Sequence, residues 1–248
     1  MDPDTAIGGP AARFPETRHT LMEAARGNDP AERRRAEKTL LAAYWKPVYK
    51  YLRLKWRLAN EDAKDLTQGF FTRAVDREFF ASYDPSRGGF RTYLRVCLDR
   101  FCSSEHERSR RGKRGGGATL LPLEFETAEG ELRELEVDSG FNVEQFFHSE
   151  WVRSVFDIAL SRFQARCASK GKEVHCRLFL RYDLEGGPEL SYRALAEEFQ
   201  LAATDVTNYL HWARKTFREV VRETVGELTG SEREFQEEMR VLLGRSAG

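Results

Sequence analysis

The 248-residue chain has few of the residues that mark specialised small folds: four cysteines, eight prolines and three methionines. None of the cysteines forms a CxxC pair, which disfavours a structural zinc site and predicts small buried thiols in a reducing compartment. No apolar run approaches the roughly 18 residues of a membrane helix, and the segment MDPDTAIGGP lacks the features of a signal peptide. We therefore expect a cytoplasmic protein with no membrane partner, metal or cofactor.

Net charge is also absent, because 40 basic side chains balance 40 acidic ones. The balance conceals two blocks of opposite sign. Residues 87–114 carry nine basic and three acidic side chains, whereas residues 115–150 carry nine acidic side chains and one arginine. This order predicts a polyanion-binding face followed by a segment that repels or mimics polyanions. Two ordinary solvated faces would produce the same pattern, so charge alone leaves both interpretations open.

Apolar residues recur at helical spacing between clusters of glycine and proline, which predicts an all-α fold. Residues 119–137 are acidic and lack sustained alternation, so they are predicted to form an irregular linker rather than a strand. No repeat of 20 to 50 residues is present. The predicted helices cover residues 17–26, 30–57, 60–74, 89–111, 143–166, 172–184, 191–199, 204–228 and 231–243.

The segment from Ser191 to Glu219 has the form of a helix-turn-helix. Ser191 can cap the first helix, while Leu195 and Val206 face inward. The second helix then exposes a stripe that could enter a DNA major groove, and Asn208 could pair with an adenine edge. The pattern also fits two packed helices that do not bind DNA. The exposed stripe consists of Thr204, Thr207, Asn208, His211, Lys215 and Arg218.

Two further helices carry polar faces opposite their apolar arcs. The helix that begins at Asn60 is predicted to expose Asp62, Asp65 and Gln68, an acidic and polar patch suited to a basic partner surface. The helix from about Gly89 to Arg111 is predicted to bury one arc and to present a basic one. That basic arc contains Arg91, Arg95 and Arg110.

Together these segments resemble the extracytoplasmic-function sigma factors, the small promoter-specificity subunits of bacterial RNA polymerase. NEDAKDLTQGFFTRA (60–74) looks like the family helix that docks on the β′ clamp helices. YDPSRGGFRTYLRVCLDRF (83–101) looks like the segment that opens and reads the −10 promoter element. The helix-turn-helix falls where the family reads the −35 element.

The resemblance implies a domain order and a set of partners. Region 2 would span 14–114, an acidic linker 115–140, region 4 141–228 and a helical tail 229–248. The partners would be core RNA polymerase, through its β′ clamp helices and β flap, promoter DNA, and an anti-sigma factor or another recruiting protein. In family terms the acidic linker would thread near the polymerase active site, where its charge would imitate nascent RNA.

The resemblance also assigns roles to individual residues. Asp62, Asp65 and Gln68 would bind polymerase. Tyr93 would capture an unstacked base, a contact worth roughly 1–3 kcal/mol, beside phosphate-holding Arg91, Arg95 and Arg110. Phe90 lies on the apolar arc and is predicted to belong to the core instead. The stripe Thr204, Thr207, Asn208, His211, Lys215 and Arg218 would contact the −35 element.

Several positions depart from the family pattern. Gln200 stands at the customary glycine of the turn, and Tyr209 and Trp212 stand where basic residues are usual. Residues 204–222 carry four cations against two acids, so their attraction for phosphate should be modest. We expect Tyr209 and Trp212 to pack against the tail or to form a partner surface. The tail itself could be a sensor, a brace for region 4 or a partner-binding helix.

Three other functions compete with the sigma-factor interpretation. A sigma-derived module could recruit polymerase to sites chosen by another protein, which the weakly basic recognition helix favours. A helix-turn-helix repressor that works without polymerase would leave the acidic patch unexplained. An enzyme is disfavoured because the sequence shows no nucleophile-and-base spacing, no GxxxxGK phosphate loop and no cluster of metal ligands.

Overall fold

A computed structural model describes residues 21–74, 79, 82–110, 123–135, 141–187 and 190–242, apart from the side chains of residues 26, 109 and 110. Within these ranges all regular structure is helical and no strand occurs, which confirms the predicted all-α fold. No helix of these ranges has both the length and the apolar character needed to cross a membrane. The helix start predicted at Thr17 and residues 115–122 and 136–140 of the predicted linker lie outside the described residues.

The bounds of the helices lie close to the predicted ranges, apart from the additional helix at Phe125–Arg133. A π-helical turn at Leu180–Glu185 extends the seventh helix. The helices are α1 (Leu21–Arg26), α2 (Pro30–Lys55), α3 (Asn60–Ala74), α4 (Phe90–Arg110), α5 (Phe125–Arg133), α6 (Val143–Ser169), α7 (Glu173–Phe179), α8 (Tyr192–Phe199), α9 (Ala203–Leu228) and α10 (Glu232–Leu242).

Local capping explains where several helices begin. The carboxylate of Asp29 accepts a hydrogen bond from the N–H of Ala31 at 2.8 Å, and Pro30 occupies the first turn of α2. The hydroxyl of Ser191 accepts from the N–H of Ala194 at 3.1 Å, which confirms the predicted cap of α8. These caps satisfy backbone donors that have no partner inside the helix.

The chain divides into two compact units. Unit A contains the described residues up to Val155 together with those from Val225 onwards, and unit B is Phe156–Thr224. The division therefore falls within α6 and within α9. The domain bounds implied by the family resemblance remain a prediction.

The core of unit A is aromatic. Tyr44, Tyr49 and Tyr51 of α2 are all fully buried, as is Phe90 at the start of α4. The ring of Tyr44 meets that of Phe90 edge-on at 5.6 Å between centroids. Unit B is built on an aliphatic cluster that joins the three helices α7, α8 and α9. The buried residues of that cluster are Leu178, Leu195, Val206 and Leu210.

Helix α5 corrects the prediction of an irregular linker over residues 119–137. Phe125 packs against Trp45 and Tyr49 of α2, with ring centroids 5.6 and 5.1 Å apart, and Ala128 is fully buried. A helix of nine residues is too short to be stable alone. It forms because α2 offers apolar and charged partners, and a short sequence window does not reveal those partners.

The tail forms α10, as its amphipathic pattern predicted, and it belongs to unit A. Phe235 and Met239 are 0 and 4% exposed, so the apolar side of α10 contributes to a core. In unit B, the Tyr209 ring stacks on the His175 ring with 3.8 Å between centroids. The Trp212 ring meets the same imidazole edge-on, with 5.1 Å between centroids. Tyr209 and Trp212 thus pack on His175 within unit B. This partner was not predicted from the sequence.

Candidate functional site

The acidic face of α3 is partly as predicted. Asp62 and Asp65 are exposed, and neither carboxylate forms an ion pair with another described residue. Gln68 is only 9% exposed, so its predicted place on the exposed patch is wrong. Gln68 follows buried Thr67 and lies one turn before buried Phe71, which carries its side chain toward the core. The exposed acidic face therefore reduces to the two aspartates.

The first turn of α4 combines core and basic residues. Phe90 is fully buried, which confirms its predicted core role. Tyr93 is half-buried, and its ring lies 5.3 Å from Phe79 and 5.5 Å from Tyr83. The hydroxyl of Tyr93 donates to the carbonyl oxygen of Phe79 at 2.6 Å. Capture of a base by Tyr93 would thus require this aromatic cluster to rearrange.

The predicted phosphate-binding arginines of α4 are already engaged. One guanidinium nitrogen of Arg91 lies 2.6 Å from a carboxylate oxygen of Glu238, and the group lies over the Trp151 ring at 5.0 Å. Arg95 pairs with Glu144 at 3.1 Å. The Arg110 side chain lies outside the described residues. Both described arginines are 21% exposed, so each would have to exchange a carboxylate for a phosphate.

Glu234 of α10 fastens the tail helix to the start of α4. One carboxylate oxygen accepts the backbone N–H of Phe90 at 2.7 Å, and the other accepts the N–H of Gly230 at 2.7 Å and the Tyr83 hydroxyl at 3.2 Å. Burial raises the pKa of Glu234 above its ordinary value, although these three donors oppose the shift. The first N–H of α4 has no acceptor within its own helix, and it is thus capped by a tail carboxylate 144 residues further along the chain.

Two glycines permit this close approach. A Cβ atom on Gly89 would lie 2.7 Å from a carboxylate oxygen of Glu234, and one on Gly230 would lie 2.7 Å from the Tyr83 ring. Gly89 belongs to the YDPSRGGFRTYL motif, so one glycine of that motif faces the tail. Its close packing provides a structural reason for a glycine at that position.

Glu238 lies one turn further along α10 and is 6% exposed. It faces Arg91 on one side and, on the other, His148 of α6, with 3.3 Å between the imidazole Nε2 and a carboxylate oxygen. Burial alone would raise the pKa of Glu238, but His148 and Arg91 outweigh it and hold the pKa below its ordinary value. Sequence analysis missed Glu234, Glu238, His148 and Trp151. The only signal was the paired acids on the amphipathic tail, which do not reveal their partners.

The acidic block at 115–150 is also engaged within unit A. Glu129 of α5 accepts from Arg53 at 2.7 Å and from the Tyr49 hydroxyl at 2.7 Å. The Arg53 hydrogen bond holds the pKa of Glu129 below its ordinary value, despite partial burial. Lys50, only 1% exposed, pairs with Glu131 and with buried Glu150. These carboxylates are paired with cations of α2. Their pairing is evidence against a role as an unpaired mimic of nascent RNA.

The stripe predicted on α9 is open to solvent. Five of its members are exposed and Arg218 is half-buried, while Val206, Leu210 and Ala213 are fully buried on the opposite side. The stripe repeats every three or four residues, which places its members on one helix face. Its exposed members are Thr204, Thr207, Asn208, His211 and Lys215.

Behind this stripe, His175 of α7 supports α9 through its stack on Tyr209. Burial and the charge of Lys172 lower the pKa of His175, which favours the neutral imidazole. The turn before α9 holds Gln200 in the left-handed conformation, at φ 55° and ψ 45°. A glycine would adopt that conformation without steric cost, so the departure from the usual glycine carries a small strain.

The chain matches no protein-family model, and searches of curated proteins and of solved structures also give no match.

Proposed function

We propose that the protein is a sigma factor, which binds core RNA polymerase and directs promoter-specific initiation. The observation that carries this proposal is the exposed stripe of α9 on a capped helix pair, because it leaves polar side chains free of the core where a major groove could receive them. The exposed Asp62 and Asp65 of α3 supply a separate acidic face for a basic protein partner. One chain thus offers one face for polymerase and another for DNA.

The proposed mechanism follows from these faces. The aspartates of α3 hold the protein on polymerase, and the α9 stripe selects an upstream element through contacts such as that of Asn208 with an adenine edge. The arginines of α4 then hold the backbone of a melted strand. None of these steps forms or breaks a covalent bond in the protein, so we propose a binding function and not an enzymatic one.

The test is transcription with purified core polymerase and a library of upstream fragments from the source organism. We expect new RNA 5′ ends that share upstream elements and occur only with this protein. Substitutions D62K and D65K together should abolish co-purification with core polymerase, whereas E126K, an exposed charge reversal on α5, should retain it. Equal binding by both variants would remove the docking assignment.

The α9 stripe has its own test. Asn208→Ala should cost about 1–3 kcal/mol of discrimination at one base pair, because a bidentate contact to one base is lost. The measurement is the enrichment of upstream sequences recovered from the fragment library. An unchanged sequence preference would contradict base reading by α9.

A sigma-derived recruiting module is the second candidate, and the charge of α9 favours it. Arg214, one of the four cations in residues 204–222, pairs with Asp183 at 3.0 Å and lies over the Tyr182 ring. Fewer cations then remain for phosphate, which lowers the expected affinity for DNA. Polymerase binding without any new RNA 5′ ends would support this candidate over the sigma factor.

A further inference from the structure

The contact between α10 and α4 places a carboxylate where a nucleic-acid phosphate would bind. Arg91 lies 2.6 Å from one carboxylate oxygen of Glu238, and His148 lies 3.3 Å from the other. The Trp151 ring lies next to both side chains, 5.0 Å from the Arg91 guanidinium and 6.0 Å from the His148 ring. An arginine and a histidine that converge on one acidic group form a general anion site.

The polar groups around this site are incompletely paired. The Tyr44 hydroxyl and the Trp151 indole N–H are buried beside it and lie close to each other, but neither forms a hydrogen bond of good geometry with a described residue. Buried donors without well-placed acceptors are destabilising, and a permanently closed core normally pairs them. The contact around Glu238 is therefore less complete than the one at Glu234, whose two oxygens accept three hydrogen bonds.

We propose that Glu238 occupies this anion site in cis as a substitute for a nucleic-acid phosphate, so that α10 covers the site until a strand replaces it. The covered site belongs to unit A and consists of Arg91 and His148, both of which lie next to the fully buried Trp151 ring. The phosphate backbone of a single strand is the ligand whose charge matches the one that Glu238 presents to Arg91 and His148. The inference rests on the proposed function only in taking the ligand to be DNA.

Glu234 and Glu238 attach α10 to unit A through different kinds of contact. Glu234 holds the start of α10 through the backbone of Phe90 and Gly230, whereas Glu238 holds the following turn through side chains alone. Side-chain ion pairs can be exchanged for phosphate contacts, while the buried backbone bonds have no such substitute. Release therefore begins at the C-terminal end of α10.

The test measures binding of a fluorescent single-stranded oligonucleotide to the full-length protein without polymerase. Glu238→Gln removes the competing charge and keeps the side-chain size, so we expect affinity to rise by about fivefold to tenfold, corresponding to roughly 1–1.4 kcal/mol. The matched control is Glu237→Gln, an exposed acid on the same helix, which should change affinity less than about twofold. Adding Arg91→Ala to Glu238→Gln should cancel the gain.

A second variant tests the cover without changing any charge. Gly230→Ala places a methyl group against the Tyr83 ring and should displace α10, which hydrogen exchange of the α10 amides reports. We expect faster exchange in α10 together with tighter strand binding. Faster exchange with unchanged or weaker binding would overturn the proposal and identify α10 as a structural brace.

The outcomes also separate this inference from the proposed function. A gain for Glu238→Gln in a protein that does not bind polymerase would support the cover and refute the sigma factor. Polymerase-dependent transcription together with unchanged strand affinity of Glu238→Gln would support the sigma factor and refute the cover.

Discussion

Unit A and unit B are both helical, but charge is placed differently in their interiors. Unit A buries acidic side chains beside basic ones, including Glu150 beside buried Lys50 and Glu238 beside the partly buried Arg91. In the described part of unit B, no aspartate, glutamate, lysine or arginine is buried, and the core is aliphatic and aromatic. Buried pairs require several elements to be in place at once, whereas apolar packing tolerates adjustment. Unit A should therefore respond more sharply to single charge changes.

The largest expected effect comes from breaking a buried pair in unit A. Lys50→Met removes the buried cation of Glu150, which is 2% exposed and keeps only the 68% exposed Arg153 as a partner, and should cost about 3–5 kcal/mol of unfolding free energy. The control on the same helix is Lys46→Met, whose side chain is 22% exposed and whose loss should cost less than about 1 kcal/mol. Urea unfolding measures both, and equal costs would contradict the special role of the buried pair.

The matching change in unit B removes apolar packing. Leu195→Ala should cost about 2–4 kcal/mol, because Leu195 is fully buried against Leu178 and Val206. Leu184→Ala is the control, since Leu184 is 51% exposed, and it should change stability by less than about 0.5 kcal/mol. Amide exchange should localise the loss to unit B, and a loss spread equally over both units would weaken the division.

The two units should also differ in their response to acid. The folded pKa of His175 is lowered by burial and by Lys172, so its contribution in unit B is complete above its ordinary pKa of 6.5 and declines as the pH falls below it. The pKa of Glu129 is lowered by Arg53, with help from Tyr49 and Arg133, so its contribution in unit A declines only below 4.5.

Unfolding followed at amides of each unit across a pH series checks this difference. His175→Phe should keep the stack on Tyr209 and flatten the profile of unit B, and Glu129→Gln should flatten that of unit A. Loss of stability at the same pH in both units would contradict the assignment.

The smallest expected effect is at the turn of unit B. Gln200→Gly should stabilise the protein by about 0.5 kcal/mol, because relief of the left-handed strain slightly exceeds the added entropy of the unfolded chain. Gln200→Ala keeps the strain and should give no gain. Thermal unfolding of the two variants provides the comparison, and a loss for the glycine variant would contradict the strain argument.

Much of the fold could be predicted from periodicity and caps. The cap at Ser191, the core role of Phe90 and the solvent exposure of five of the six stripe residues of α9 are confirmed. Gln68 was misplaced because a helix-face argument treats polar residues as exposed, whereas packing on a neighbouring helix decides the flanks. Helix α5 was missed because nine residues carry too little periodicity to outweigh their acidity.

The amino-acid sequence by itself determined nearly all of the helical segments and the apolar side of most of them, because those properties depend on residues one turn apart. Only the tertiary structure decided where the charges find partners. Arg91 meets Glu238 and Lys50 meets Glu150 across separations of about 100 residues or more, and no local pattern records such pairs. The tail helix is amphipathic in sequence, but its place on α4 depends on two glycines that let the chains approach.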